Sequence, residues 1–560
     1  MSNIVEEIKN QIDKIIRDAF EKADLECEFC EGYIIEKPHE KVHGDFSANI
    51  AMQLARPAKK APRAIAEVLV SNMDLDTSYI EKAEIAGPGF INFFLNGNQR
   101  EVILKAICKE GAGYGKSIVK KCQKIMLEFV SANPTGPMHM GNARGGALGD
   151  SLAAVLEWTG ADVTREFYLN DAGAQIVKLG KSLEARYQQH FKGEDAVTFP
   201  EDGYHGKDIT EHMETFIAET GDKYLNVSED ERKKVIVDYV LKKNIAALHK
   251  DLAAYKINYD VWFPESDLYK SGEVEETIDQ LKKSGYTYEH DGALWFKSTE
   301  FGLEKDDVLV RNTGIPTYFA VDIAYHRNKF IIRGFDKVIN VWGADHHGHV
   351  ARMKGAMQAL GVNPERLHVV LMQLVRLMQD GEIVRISKRT GNMITLNDLI
   401  DEIGLEPTRF FFNLRQADSH LEFDLDLAKS QTNENPVFYV QYAHARICSI
   451  LHIMETEGVA LRSADEINFT LLKEHEEIEL IDKLGDFPEE ILAAAEHYDP
   501  SRLTRYALDL ASMFHSFYNS CRVKCEDEAL MQARIALVSA VKTVLASDLS
   551  ILGINAPERM

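Results

Sequence analysis

Two kinds of apolar spacing alternate along this chain of 560 residues. Ile4, Ile8, Ile12, Ile15 and Ile16 keep a helical period and predict an amphipathic helix that packs by one face. Helical stripes accompany residues 46–55 and 61–70, and 87–95 reads as a strand, so 1–115 is expected to form a small α+β unit. The unbroken apolar run at 125–130 predicts a buried parallel strand. A polar turn with Asn133, Pro134, Gly136 and Pro137 follows it, and then a helix with Leu148, Leu152, Val155 and Leu156 in period. Further strands are expected at 338–343 and 369–377, with a helix at 349–360 between them that stops at Gly361. Residues 116–425 therefore read as an α/β domain, with an insertion at about 190–300 that mixes helices (233–255) with a strand pair around 289–296. From 426 to 560 the pattern is helical, and four apolar stripes predict a bundle.

The strand–turn–helix at 125–156 is where an open α/β sheet holds a nucleotide, because unpaired N–H groups at a helix start suit phosphate. Gly141 leaves room for backbone to approach a ligand, and His139 can donate to a phosphate oxygen in either protonation state. A glycine-rich turn with one histidine is common, and alone it does not identify such a site. A second element lies at 385–392, RISKRTGN. Asp380-Gly381 between apolar runs predicts a hairpin, which places Ser387, Lys388 and Arg389 on the loop that leaves it. Two cations on a glycine-bounded loop can clamp a polyphosphate and release it; a solvated basic loop is the plain alternative.

The two elements stand in the order HxGN, then xISKR, about 250 residues apart. That order and spacing resemble the HIGH and KMSKS signatures of class I aminoacyl-tRNA synthetases. The chain further resembles the bacterial arginyl-tRNA synthetases in EFVSANPTGPMHMGNARG (128–145), DVWFPESDLY (260–269) and DDVLVRNTGIPTYFAVDIAYHRNKF (306–330). The likeness continues in VINVWGADHHGHVARMKGAMQALG (338–361) and YVQYAHARICSIL (439–451), and so covers nearly the whole length. Both signatures carry departures. The last histidine of HIGH is Asn142, and the first lysine and methionine of KMSKS are Arg385 and Ile386. The second lysine is present as Lys388, whereas Gly136 stands about where many relatives carry a compensating lysine.

The resemblance implies an α/β fold: a Rossmann-like class I synthetase catalytic domain with an N-terminal α+β domain that contacts the D-arm of tRNA and a C-terminal all-helical, DALR-type anticodon-binding domain. It implies ATP-dependent ligation of L-arginine to the 3′ end of its tRNA through arginyl-adenylate. The catalytic residues are then His139 and Lys388, and ATP is held by Pro137, His139, Gly141, Asn142, Ser387 and Lys388. Arginine is expected against Glu128, Ser131, Asn133, Glu265, Tyr318, Asp322, Asp345, His346 and His349. A guanidinium presents five donors in a fixed fork and never deprotonates, so it calls for planar acceptors; Tyr318 and Asp322, four apart, would share a helix face. Read alone, Glu265 is simply an exposed loop acid. Mg²⁺ is expected on the triphosphate as part of the substrate and not as a tightly held protein metal.

Composition sets outer bounds. A hydrophobic content of 45% argues against disorder, no apolar run reaches the length expected of a bilayer span, and the first 20 residues lack a signal-peptide pattern. Seven cysteines, with Cys27 and Cys30 as a lone CxxC, favour buried thiols in a reducing cytoplasm over a metal site. His346 and His349 could share a helix face as metal ligands, but no cysteine is near and Asp345 sits where a helix N-cap is expected, with His347 packed. The net charge of −24 gives no RNA footprint; 56–63 is the best basic cluster, and a solvated loop explains it equally well. Tyr439, Tyr442, Arg446 and Arg505 are candidates to stack on or pair with nucleotides, with core and surface roles equally open. The expected partners are tRNA, arginine and ATP, with no membrane and a monomeric state. A synthetase for another amino acid, a nucleotidyltransferase without tRNA and a non-catalytic tRNA-binding paralogue are the rival readings.

Overall fold

A computed structural model describes residues 4–38, 40–75, 79–384 and 394–560. At its centre five parallel strands run in the spatial order Leu367–Met372, Lys337–Gly343, Lys124–Glu128, Asp162–Leu169 and Val261–Pro264. Both faces of the middle strand are covered, which is why Ile125, Met126 and Leu127 are all apolar and buried. From Lys124–Glu128 the chain passes through the helix Met140–Trp158 toward one edge of the sheet. From Lys337–Gly343 it passes through the helix His347–Ala359 toward the other. The carboxyl ends of these two neighbouring strands therefore diverge and open a crevice at the switch of strand order.

The apolar run expected as a strand to residue 130 stops earlier. Ser131 N–H bonds back to the Phe129 carbonyl at 3.0 Å around Val130, whose φ is 71°, and Ser131 itself has φ 44°. A β-branched residue in this left-handed region is strained. The tight turn brings Ser131 back over the strand end, beside Glu128. The following helix lies very close to the sheet because a Cβ at Gly149 would overlap the Phe129 ring.

The run at 369–377 is not one strand either. It breaks at Gln373 and Leu374, and Val375–Gln379 joins a separate sheet with Glu382–Ile383 and Leu421–Asp424. The expected hairpin is present: Gln379 pairs with Glu382, and Asp380 and Gly381 have φ of 52° and 75°, as a type I′ turn requires.

Within 190–300, the helices Lys207–Thr220 and Glu229–Ala254 share a small core with Ala174–Lys192, including Leu183, Phe216 and Ile236. The interval is not one insertion, however, because its strand Val261–Pro264 completes the parallel sheet and carries Glu265 to the crevice. The strand pair Thr287–His290 and Ala293–Phe296 gains a third strand, Asp307–Val310.

The first helix, Ile4–Lys22, buries all five predicted isoleucines beside an antiparallel four-stranded sheet. The stripe at 46–55 is divided between a strand, Phe46–Ala48, and a helix, Ile50–Ala58. At the other end of the chain stand the helices Pro436–Thr456, His475–His497, Ser501–Ser520 and Glu528–Ile551. Contrary to the sequence expectation, Glu528–Ile551 is long and apolar enough to cross a membrane by length and composition alone. Here most of it is buried as the core helix of the bundle.

Candidate active site

One wall of the crevice is the start of the helix Met140–Trp158. His139 is its N-cap: its Nδ1 accepts the Gly141 N–H at 3.1 Å, and its own N–H donates to Asn142 Oδ1 at 3.2 Å. This is a reciprocal capping box, and it explains Asn142 in place of histidine: an amide oxygen serves the backbone donor. Gly141 gives the histidine room, since a Cβ there would stand 3.0 Å from His139 Cε1 and the ring would have to shift. With Nδ1 accepting, a neutral His139 ring carries its proton on Nε2. Pro137 is exposed in the turn. The Pro134 carbonyl accepts from Asn244 Nδ2 at 2.8 Å, which ties the turn to the helix Glu229–Ala254. Ser387 and Lys388 lie outside the described residues. Just beyond them, Thr395 bridges to His139 and Leu396 N–H donates to the Met138 carbonyl at 2.9 Å.

The facing wall is acidic. Glu128, at the end of its strand, accepts from Ser131 Oγ at 2.9 Å and from Lys329 Nζ at 2.5 Å. Ser131 Oγ in turn accepts the Tyr168 N–H at 3.2 Å, which gives the strained turn its anchor. Glu265, 7% exposed, accepts from the Tyr168 hydroxyl at 3.1 Å. Burial raises the Glu265 pKa above the ordinary value; the Tyr168 bond opposes this, while Asp171 and Asp322 add to it. Asp322 lies one helical turn after Tyr318 on Tyr318–Arg327. Its Oδ2 meets His349 Nε2 at 2.5 Å and its Oδ1 meets His326 Nδ1 at 3.1 Å. Burial works to raise the Asp322 pKa, and the contacts with His326 and His349 work against it and lower it.

Tyr318 stands at the mouth, with its ring exposed. Its hydroxyl pKa is raised by desolvation and then by Asp322, Glu128 and Glu265. The negative charges of three carboxylates, from three separate elements, are thus felt at one phenol.

Several expected residues are more exposed or differently engaged. Asn133 is exposed in the turn. Asp345 is not a helix N-cap: it is exposed on the short 3₁₀ turn Ala344–His346, and the following helix begins at His347 without a side-chain cap. His346 is half-exposed beside Trp342, and His347 is exposed and not packed. His349 is spent on Asp322, and among the described residues no group of three or more His, Cys, Asp or Glu is gathered to hold a metal. In the C-terminal bundle, Tyr439 and Tyr442 flank His515, Arg446 lies over Tyr442 and Tyr518, and Arg505 reaches Asp499.

Sequence reasoning missed Tyr168, His326, Lys329, Asn340 and Arg352. His326 carried a signal, since it follows Asp322 by one helical turn; the others meet only through tertiary structure.

The parallel sheet, the switch-point crevice and the capped signature turn define a class I aminoacyl-tRNA synthetase. Residues 103–421 match the family described as tRNA synthetases class I (R), catalytic domain. Residues 6–95 match the arginyl tRNA synthetase N terminal domain, and 440–560 the DALR anticodon binding domain. The arginine–tRNA ligases of Caldanaerobacter subterraneus subsp. tengcongensis and Acetivibrio thermocellus are 59% and 57% identical, each over 100% of both chains. A crystal structure described as an arginyl-tRNA synthetase of Campylobacter jejuni superposes with a TM-score of 0.75 at 32% identity, over 83% of this chain and 100% of that one. The chain belongs to the arginyl-tRNA synthetase family.

Proposed function

We propose that the protein activates L-arginine with ATP and transfers it to the 3′ end of its tRNA. The observation that carries this reading is the hydrogen-bonded chain from Glu128 through Ser131 and Tyr168 to Glu265, with Asp322 held by His326 and His349, in the crevice that the His139-capped helix also lines. Asp322 and Glu265 receive the guanidinium with the Tyr318 hydroxyl, and Glu128 with Ser131 faces the α-amino end. A lysine ammonium cannot span two such acceptors in one plane, which favours arginine. Asn133, Asp345 and His346 edge the site from more exposed positions.

In the first step an arginine carboxylate oxygen attacks the α-phosphorus of ATP; the bond to pyrophosphate breaks and arginyl-adenylate forms. In the second, the terminal ribose hydroxyl of tRNA attacks the arginyl carbonyl carbon and AMP leaves. No covalent bond to the protein is needed, so the protein's part is positioning and charge neutralisation. His139 Nε2–H serves the phosphates, with Pro137, Gly141 and Asn142 shaping the turn. Ser387 and Lys388 are assigned to the phosphates by their match to the family's second signature, and Mg²⁺ accompanies the triphosphate. The protein acts in the cytoplasm as a monomer. Support for the phosphate assignment comes from Thr395 and Leu396, which follow the second signature in sequence and dock onto the HMGN turn.

Aminoacylation of total tRNA with a panel of amino acids tests the function. Arginine alone should be transferred. Transfer of another amino acid, or adenylate formation with no transfer to tRNA, would overturn it.

A further inference from the structure

The two acids assigned to opposite ends of arginine are joined by buried side chains that the proposed reaction does not use. His326 Nδ1 donates to the Asp322 carbonyl at 2.8 Å and lies 3.1 Å from Asp322 Oδ1. The other ring nitrogen, Nε2, is 2.8 Å from Asn340 Nδ2. Asn340 Oδ1 accepts from Lys329 Nζ at 3.1 Å, and Lys329 donates to Glu128 at 2.5 Å. His326, Asn340 and Lys329 are all buried.

This chain leaves one proton arrangement. An ammonium has donors only, so the Asn340 atom facing Lys329 is the oxygen. The amide NH₂ then faces His326 Nε2, which must be a lone pair, and the ring is neutral with its proton on Nδ1. The second imidazole on Asp322 is fixed by the same logic. Arg352 Nη2 donates to His349 Nδ1 at 2.9 Å, so the His349 proton is on Nε2, facing Asp322. Arg352 is anchored by Asp307 at 3.0 Å.

We infer that Asn340 (oriented by Lys329) and Arg352 are positioning residues for arginine recognition: they hold His326 and His349 as neutral donors, so that Asp322 is oriented yet keeps its full negative charge for the guanidinium. An imidazolium at either place would pair with Asp322 and cancel the charge that attracts the substrate. The inference rests on the reading of Asp322 as a guanidinium acceptor. Around His326 stand Asp322 and Tyr325 of its own helix, Lys329, Asn340 and Trp342 of the neighbouring strand, and Glu128 behind Lys329. Around His349 stand Asp322, Tyr318 and Phe319 of the facing helix, Trp342, and Arg352 backed by Asp307.

Asn340→Asp tests it. A carboxylate there accepts from Lys329 and from His326 Nε2 alike, so the imidazole takes up a proton as pH falls. The ratio of variant to wild-type arginine KM in pyrophosphate exchange should grow about tenfold from about pH 8 to about pH 6, with the ATP KM ratio flat. Arg352→Gln, at a partly exposed position, releases the His349 tautomer and should show the same acid-side rise; it carries the test alone if a thermal melt shows Asn340→Asp to be unfolded. Arginine ratios that stay flat with pH, or that move together with the ATP ratios, overturn the inference. Asp322→Asn is measured in parallel. If it raises the arginine KM while the other two variants stay flat, the positioning inference alone fails. If it leaves the arginine KM unchanged, the reading of Asp322 fails and the inference with it.

Discussion

The two walls of the crevice are built on opposite plans. On the nucleotide wall His139, Gly141 and Asn142 satisfy one another through the backbone, while Pro137 and Asn133 stand exposed. On the wall proposed for the amino acid Glu128 and Glu265 are buried, Asp322 is largely so, and each is partnered: Glu128 by Lys329 and Ser131, Glu265 by Tyr168, Asp322 by two histidines. The difference fits the ligands proposed for the two walls. In the proposed reading a triphosphate carries several charges and is met by the His139 ring and by Lys388, an arrangement that tolerates an open wall. A guanidinium is one delocalised charge with a fixed donor geometry, so its acceptors have to be locked before it arrives.

The largest effect that would sharpen this contrast is expected on the nucleotide side. Lys388→Ala should slow arginine-dependent pyrophosphate exchange about 150-fold, or about 3 kcal/mol, with arginine KM little changed. A wild-type rate would remove Lys388 from the reaction. Asp322→Asn should raise the arginine KM about 100-fold and the ATP KM less than about twofold, as loss of a charged acceptor implies. Equal changes in both would erase the division between the walls.

Glu265 behaves differently from Asp322 because burial raises its pKa where the histidines lower that of Asp322. As pH falls Glu265 is protonated first, so wild-type arginine KM should rise on the acid side while Asp322 remains ionised. Glu265→Gln should bind arginine about tenfold more weakly at neutral pH and lose that acid-side rise. The sign for stability is the reverse. A carboxyl whose folded pKa lies above its unfolded one favours folding as it gains its proton, and at neutral pH its buried charge is a cost. Glu265→Gln should therefore melt no lower than wild type at pH 7, and a clear drop in the melting midpoint would contradict this. The smallest effect is expected from Asn142→Ala, which removes half of the capping box and should cost about 1 kcal/mol in denaturant unfolding of the catalytic domain.

Much of this architecture was legible in local pattern. The isoleucine stripe at 4–16, the helix after residue 139 and the Asp380-Gly381 turn each follow from a period or a turn chemistry that neighbouring residues carry. What was not legible depends on contacts across the sheet. Nothing in an unbroken apolar run marks Val130 as the centre of a left-handed turn. The division of 369–377 reflects two sheets competing for one segment. The strand Val261–Pro264 is too short to stand out inside a helical stretch. Glu265 looked like a loop acid because only pairing of that strand with Asp162–Leu169 carries it inward. Lys329, Asn340 and Arg352 come from three elements, and their common purpose is visible only where Asp322 and Glu128 meet them.

The most direct test of the acid-lined pocket is a crystal structure of the protein with L-arginine alone. The guanidinium should lie against Asp322 and Glu265 beside the Tyr318 hydroxyl, with the α-ammonium toward Glu128 and the carboxylate facing the His139 turn. An arginine bound in the opposite sense, or bound away from these three carboxylates, would contradict the assignment of the two walls.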